Sequence, residues 1–166
     1  GCANGYSVLR ATKGLETMVV GVDLNIEAIK SSGNNLVLGE RTNIKFLGGN
    51  IENLPLSDES FDFVIMKRVL GNLPSKNSQE RALGEASRVL SSGGYLYILD
   101  GVTESLDILS KMRQEYNLPL LTQPNHTYLP SESEIIQMTK GTFELESIRN
   151  PTSTYYYITR FIYPLI

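Results

Sequence analysis

Residues 61–100 decide the fold, and they read FDFVIMKRVL GNLPSKNSQE RALGEASRVL SSGGYLYILD. The apolar runs at 61–66 and 95–100 predict two short strands, and residues 76–91 between them predict an amphipathic helix. One face of that helix collects small and apolar side chains: Ala82, Leu83, Ala86, Val89 and Leu90. The other face carries the charged side chains: Glu80, Arg81, Glu85 and Arg88. A strand, a helix and a strand in this order predict a parallel pair joined by a crossover helix.

The alternation of strands and helices continues on both sides of this unit. Further strands are predicted at 18–23 and 44–48, and further helices at 6–13, 25–32, 104–116 and 131–140. Two last strands, 142–149 and 154–162, are joined by a turn too short for anything but antiparallel pairing. We therefore expect one domain over residues 1–166. Its fold class is α/β, Rossmann-like and doubly wound, with a mostly parallel sheet and an antiparallel strand near the C-terminal edge.

Composition excludes several classes of protein. The 166 residues are 41% hydrophobic and carry a formal net charge of −3, which argues against a disordered chain and against a surface that coats nucleic acid. The single cysteine cannot form an internal disulfide, and no apolar run approaches the roughly 18 residues of a membrane span. No signal-like segment opens the chain, so we expect a cytoplasmic domain.

Ligands of open α/β sheets bind beyond the carboxyl ends of the strands. The residues that follow the predicted strands are therefore the candidates: Gly1–Gly5, Asp23, Asn50–Ile51, Met66–Arg68 and Asp100. The glycine-rich turn Gly1–Gly5 leads into a predicted helix and lets a ligand approach the backbone closely. Asp23 follows about 20 residues later, where a carboxylate accepts hydrogen bonds from two ribose hydroxyls. Alternatively, Asp23 is a charge that favours the start of the next helix.

A dinucleotide fits this turn poorly. Aligned on Gly1, the dinucleotide-binding motif G-x-G-x-x-G requires glycine at the positions that Ala3 and Tyr6 occupy. A nicotinamide-dependent oxidoreductase is therefore disfavoured.

In order along the chain, these motifs resemble those of the class I S-adenosylmethionine-dependent methyltransferases of the small-molecule type. The family's G-x-G-x-G turn, which holds the methionine and ribose part of the cofactor, corresponds to residues 1–5, with Ala3 in place of the middle glycine. Its ribose-binding acid falls on Asp23, with Leu24 beside the adenine. The resemblance implies S-adenosylmethionine as the cofactor and the following cofactor-binding residues: Gly1, Ala3, Gly5, Asp23, Leu24, Asn50 and Ile51.

Later motifs of the family also have counterparts. Gly49-Asn50-Ile51 resembles its Gly-Asp-Ala, and the amide oxygen of Asn50 can still accept a hydrogen bond where the family's aspartate contacts the adenine amino group. The stretch 69–74 is similar to its Val-Leu-x-His-Leu-Pro, with Asn72 in place of histidine. Arg88-Val89-Leu90, followed by two glycines, resembles the signature before the family's fifth strand.

The resemblance also implies parts that this chain does not contain. The family's first strand lies in the middle of the sheet and precedes the glycine-rich turn, whereas this chain begins with the turn. We therefore expect an N-terminally truncated domain that lacks this strand, the preceding helices and the acid that anchors the methionine end of the cofactor. A sheet without that strand would expose an unpaired backbone edge, which favours pairing with another chain.

Two residues are candidates for the acceptor side of the site. Arg68 follows the strand at 61–66 and either holds a carboxylate or phosphate or is a solvated charge. His126 is the only histidine, and its loop resembles a His-x-x-Phe/Tyr stretch of methyltransferases that act on sugars or small metabolites. It is either a catalytic base or substrate contact, or a surface histidine that packs on Tyr128.

The expected function is methyl transfer from S-adenosylmethionine to a small-molecule acceptor, at an oxygen on a sugar or other metabolite. The alternative is an inactive fragment or a cofactor-binding module without turnover. We expect a small-molecule substrate and a possible oligomer, and we expect no metal, nucleic-acid partner or membrane partner.

Overall fold

The computed structural model describes residues 1–39, 42–123 and 125–149 of the chain. Its strands are β1 (Val19–Asp23), β2 (Ile44–Gly48), β3 (Phe61–Lys67) and β4 (Leu90–Leu99). Its helices are α1 (Tyr6–Ala11), α2 (Ile26–Gly39), α3 (Lys76–Val89), α4 (Thr103–Glu115) and α5 (Glu132–Thr139), with a 3₁₀ turn at Leu70–Asn72. Each strand and helix overlaps one that the sequence predicts. Within these ranges, no helix combines the length and the apolar character needed to cross a membrane.

The four strands form two parallel pairs. β1 pairs with β2, with Val19 opposite Ile44, and β3 pairs with β4, with Phe63 opposite Tyr95. A helix connects the two strands of each pair, α2 in the first and α3 in the second, as parallel pairing requires. The predicted α/β architecture with parallel strands is therefore confirmed.

The first residues of the chain join the two pairs. The backbone nitrogens of Gly1 and Cys2 each lie 3.0 Å from the carbonyl oxygen of Val22 in β1. Gly1 also lies against the end of β3, because a Cβ atom on Gly1 would be 3.7 Å from the carbonyl oxygen of Lys67 and 3.1 Å from the side chain of Val69. The carboxyl ends of β1 and β3 are therefore neighbours, and the turn that begins at Gly1 lies between them.

The hydrophobic core lies between α3 and one face of the β3–β4 pair. Met66 of β3 is 1% exposed, and Ala82 and Ala86 of α3 are fully buried in the same cluster. Because successive side chains of a strand point to opposite faces, Phe63 and Ile65 lie on the other face, where each is 64% exposed. The apolar face predicted for the helix at 76–91 is the face that α3 buries.

Helix α3 continues into β4 without a separate loop. The helix ends at Val89, and Leu90 already has the extended dihedral angles φ −76° and ψ 136°. The strand predicted at 95–100 therefore begins earlier, at Leu90. Its pairing with β3 is irregular before Tyr95, because Gly93 turns the chain with φ +77°.

The predicted end of one helix is wrong, and so is one predicted strand. Helix α2 continues to Gly39 instead of ending before Gly33, because a glycine inside a helix costs only about 1 kcal/mol and does not by itself end it. Over the predicted strand 142–149, the structure has only an isolated bridge between Lys140 and Phe143. A strand needs a partner, and the described part of the chain offers none to residues 144–149. The strand predicted at 154–162 and the turn before it lie outside the described residues.

Met66→Ala tests the placement of the core. The substitution leaves a cavity beneath α3, so the free energy of unfolding should fall by about 2–5 kcal/mol, measured by urea denaturation followed by circular dichroism. The control is Met112→Ala in α4, where the methionine is 36% exposed. This control should cost less than about 1 kcal/mol. Equal losses in the two variants would contradict the assignment of the core.

Candidate functional site

Contacts connect the predicted cofactor residues around the carboxyl ends of the strands. The N–H of Ala3 in the glycine-rich turn donates to the Asp23 carboxylate at the end of β1, with a distance of 2.7 Å. The N–H of Gly49, after β2, donates to the Asp23 carbonyl oxygen at 2.9 Å. After β3, the N–H of Val69 donates to the carboxylate of Asp100 at 2.7 Å. With Gly1 between β1 and β3, the structure brings the four strand ends to one edge.

The glycine-rich turn is compact and has a left-handed backbone at two positions. Ala3 has φ +48° and Gly5 has φ +76°, and the N–H of Gly5 donates to the carbonyl of Cys2 across the turn at 3.0 Å. A Cβ atom on Gly5 would lie 2.4 Å from the ring of Phe46, so position 5 requires glycine. Ala3 adopts a conformation that glycine reaches with less strain, which explains why such a turn favours glycine at its middle position.

The Asp23 carboxylate holds this turn against β1. One oxygen accepts the N–H of Ala3, and the other accepts the N–H of Asn25 at 2.9 Å. Burial acts to raise the pKa of the Asp23 carboxyl. The backbone N–H groups of Asn25, Ala3 and Leu24 act in the opposite direction, and the pKa lies below its usual range. The side chain is 15% exposed, so an ionised carboxylate at the edge of the turn can accept further hydrogen bonds from a bound hydroxyl group.

The next predicted cofactor residues lie on either side of Asp23. Leu24 is 74% exposed and offers an apolar surface beside the carboxylate. After β2, the Asn50 side-chain oxygen accepts the N–H of Glu52 at 3.0 Å, so this oxygen shapes its own loop and keeps one lone pair for another donor. Ile51 is half-buried and packs against the core cluster around Met66.

Charged side chains of α3 hold the loop that follows β2. Glu85 accepts the N–H of Leu54 at 2.6 Å. Arg88 donates to the carbonyl oxygens of Leu56 and Leu54 at 2.8 and 3.1 Å, and to the carboxylate of Asp58 at 2.6 Å. The hydrogen bond from Arg88 holds the pKa of the Glu85 carboxyl below its usual range, against the effect of burial.

Arg81, two helical turns before Arg88, adds a further link to the same loop. Its Nε donates at 2.7 Å to the carboxylate of Glu52, which directly follows Ile51. The sequence places Arg81, Glu85 and Arg88 on the charged face of the helix but assigns them no partner. Their partners lie about 30 residues earlier in the chain, so spacing along the helix carries no signal for these contacts.

The predicted acceptor-side residues follow the other pair of strands. Arg68 is exposed with φ +53°, and its guanidinium makes no hydrogen bond with the described residues. Asn72, which stands where the related stretch has histidine, donates its amide N–H to the carbonyl oxygen of Arg68 at 2.8 Å and so fixes the turn. His126 is exposed in a loop attached to this turn by the N–H of Tyr128, which donates to the carbonyl of Leu73 at 2.7 Å.

Asp100 is among the candidates that follow the predicted strands, but the family resemblance assigns it no role. Its carboxylate, at the end of β4, accepts the N–H groups of Val69 and Gly101 at 2.7 and 3.0 Å. Burial raises the pKa of the Asp100 carboxyl, although these donors and the N–H of Gly71 act in the opposite direction. A Cβ atom on Gly71 would lie 2.9 Å from the carboxylate, so the turn after β3 depends on both residues. Within the described ranges, no group of three His, Cys, Asp or Glu side chains could hold a metal ion.

Comparisons with known proteins show what the chain as a whole is similar to. A family described as methyltransferase domain matches residues 1–153. The ubiquinone/menaquinone biosynthesis C-methyltransferase UbiE of Marinomonas sp. (strain MWYL1) is 32% identical over 109 residues, which are 65% of this chain and 42% of that protein. The arsenite methyltransferase of Halobacterium salinarum is 33% identical over 104 residues, which are 61% of this chain and 26% of that protein. This chain therefore spans less than half the length of either relative.

A solved structure shares the fold. The crystal structure of an S-adenosylmethionine-dependent methyltransferase from Methanosarcina mazei has a TM-score of 0.65 and 25% sequence identity to this chain. The match covers 83% of this chain and 74% of the other. The structural similarity to this methyltransferase therefore covers most of the chain.

Asp23→Asn tests the electrostatic role of this carboxylate through the pH dependence of stability. A carboxyl whose pKa is lower in the folded state stabilises the fold above its unfolded pKa of about 4 and loses this contribution as the pH falls through the folded value. The free energy of unfolding of the wild type should therefore exceed that of the variant by a constant amount from about pH 8 to pH 5, and the excess should shrink below about pH 4. Urea denaturation at each pH measures it.

The matched control is Glu27→Gln, which removes a carboxylate that is 80% exposed. This variant should stay close to the wild type in stability at neutral pH. A stability difference between the wild type and Asp23→Asn that grew on acidification would contradict the assignment.

Proposed function

Because this chain belongs to the class I S-adenosylmethionine-dependent methyltransferases, we propose that it transfers a methyl group to a small-molecule acceptor, at an oxygen of a sugar or other metabolite. The observation that carries the proposal is the Asp23 carboxylate, which is ionised, fixed against the glycine-rich turn and only partly covered. Such a group accepts hydrogen bonds from the two hydroxyls of a ribose. The chain covers less than half of the curated relatives, so the activity of the whole protein is part of this proposal.

The residues around Asp23 fit the other parts of S-adenosylmethionine. A ligand can approach the backbone of the turn at Gly1, Ala3 and Gly5 closely, because position 5 has no side chain in the way and cannot accommodate one. Leu24 offers an apolar surface suited to one face of the adenine, and the Asn50 amide keeps one lone pair for the adenine amino group. Ile51 supports this loop from the core side.

When bound, S-adenosylmethionine would supply a methyl group on a positively charged sulfur, and transfer to the acceptor atom would break the carbon–sulfur bond and leave S-adenosylhomocysteine. The chain contributes to this reaction chiefly by positioning, because the donor is already reactive. An oxygen acceptor also has to lose its proton, and His126 is the candidate base. Arg68, whose guanidinium has no hydrogen bond with the described residues, is the candidate to hold an anionic group of the acceptor.

The names of the relatives indicate acceptor atoms other than oxygen, so the methyl-transfer experiment below includes them. One is a C-methyltransferase and the other acts on arsenite, and neither name specifies a sugar oxygen. Oxygen is proposed because the His126 loop is attached to the turn that carries Arg68, so a base and an anion-binding group lie on neighbouring segments. The alternative is a module that binds the cofactor without turnover. It predicts cofactor binding but no methyl transfer to any acceptor.

Asp23→Asn should weaken the binding of S-adenosylhomocysteine by about 10- to 100-fold, which corresponds to one charge-assisted hydrogen bond. The amide nitrogen of an asparagine would also face one of the two backbone N–H groups, of Ala3 and Asn25, that now donate to the Asp23 carboxylate, so that hydrogen bond would be lost. Isothermal titration calorimetry measures the dissociation constant, and Glu27→Gln is the control expected to bind like the wild type. Unchanged affinity in Asp23→Asn would overturn the cofactor-site assignment.

Methyl transfer itself is tested with S-adenosylmethionine labelled on its methyl group and a panel of hydroxylated sugars and metabolites, a quinol and arsenite. The proposal expects label in a hydroxylated acceptor, with a rate that falls about 100-fold or more in His126→Gln while the affinity for S-adenosylhomocysteine stays unchanged. Label in the quinol or arsenite would contradict the oxygen acceptor but not methyl transfer. Binding without transfer to any acceptor would favour the cofactor-binding module.

A further inference from the structure

One buried side chain connects the two acceptor-side segments. Gln79 of α3 is 0% exposed, and its Nε2 donates to the carbonyl oxygen of Leu70 at 2.8 Å and to that of Tyr128 at 2.7 Å. A glutamine amide nitrogen has two hydrogens, and each of them serves one segment. Leu70 belongs to the turn after β3, and Tyr128 belongs to the loop that carries His126.

The same two segments also contact each other directly. The N–H of Tyr128 donates to the carbonyl oxygen of Leu73 at 2.7 Å. A Cβ atom on Gly71 would lie 3.2 Å from the side chain of Leu129, so the turn and the loop are in close packing. The hydroxyl of Tyr128 donates to Glu134, which is part of the capping box of α5, so the far side of the loop is held as well.

Packing alone does not explain a glutamine at position 79. Its Oε1 atom is buried and has no hydrogen-bond partner among the described residues, a cost that an apolar side chain of similar size would avoid. The advantage of glutamine lies in its two donors. They satisfy two carbonyl groups that come from segments 58 residues apart and add to the direct contact between these segments.

We propose, on the basis of the function above, that Gln79 is a positioning residue that holds the turn after β3 and the His126 loop together as one wall of the acceptor site. Arg68 lies two residues before Leu70, and His126 lies two residues before Tyr128. Gln79 therefore sets the distance between the candidate anion-binding group and the candidate base. It acts through these two segments and touches neither the acceptor nor the cofactor.

Gln79→Met removes both donors and keeps the length of the side chain. Backbone amide exchange, measured by mass spectrometry with S-adenosylhomocysteine bound, should accelerate about tenfold or more in peptides covering 68–74 and 125–130. Exchange in β1, β2 and α4 should change less than about threefold, as should the affinity for S-adenosylhomocysteine. Gln114→Met, at an exposed position of α4, is the matched control and should alter neither segment.

Gln79→Glu adds a readout that a purely structural role would not give. An ionised glutamate has no hydrogen to donate and faces two carbonyl oxygens, whereas the protonated acid donates one hydrogen bond. Relative to Gln79→Met at each pH, the two segments should therefore regain protection from exchange as the pH is lowered. Methyl transfer to the acceptor panel should fall at least tenfold in Gln79→Met and recover in part in Gln79→Glu at low pH.

The outcomes separate this proposal from the proposed function. Equal acceleration of exchange over the whole chain, or none in the two segments, would overturn the role of Gln79. The role of Gln79 would also be overturned if the two segments of Gln79→Glu regained no protection from exchange, relative to Gln79→Met, at any pH. If the wild type binds no S-adenosylhomocysteine and transfers no label, the proposed function fails, and the exchange of the two segments in the free protein still decides the role of Gln79.

Discussion

Parallel pairing of strands is the constraint on which the rest of this structure depends. Because both strands of a parallel pair end on the same side, a chain that repeats strand, helix and strand collects all its strand ends at one edge. Gly1 and Cys2, bonded to Val22 and lying against the end of β3, bring the two pairs together at that edge. Asp23 and Asp100, which lie far apart in sequence, consequently lie at the same edge.

Helix α3 organises this edge from both of its faces. Its apolar face buries Ala82 and Ala86 against Met66 and so fixes the helix on the β3–β4 pair. Its polar side chains then reach the loops on either side: Arg81, Glu85 and Arg88 hold the loop after β2, and Gln79 bonds to the turn after β3 and to the His126 loop. The packing energy of the core thereby determines the positions of loops that have no core of their own.

Sequence patterns predicted some of these features and not others. Periodicity along 76–91 identified the buried face of α3, and the place of Asp23 after an apolar run identified a candidate ribose-binding carboxylate. The roles of Glu85, Arg88 and Gln79 did not follow from any pattern, because their partners come from distant parts of the chain. The strand predicted at 142–149 is wrong for a related reason, since alternation supplies a strand-like pattern but not the neighbour with which a strand must pair.

The sequence by itself determined the order of strands and helices, the parallel pairing, the glycine-rich turn with its acid and the resemblance to methyltransferases. These features follow from local rules: hydrophobic periodicity, the short length of turns and the conformational freedom of glycine. Only the tertiary structure decided that Asp100 supports the turn after β3 and that Gln79 joins that turn to the His126 loop. Hydrogen bonds between distant segments depend on how those segments pack together, and the spacing of residues along the chain does not show which distant segment supplies the partner.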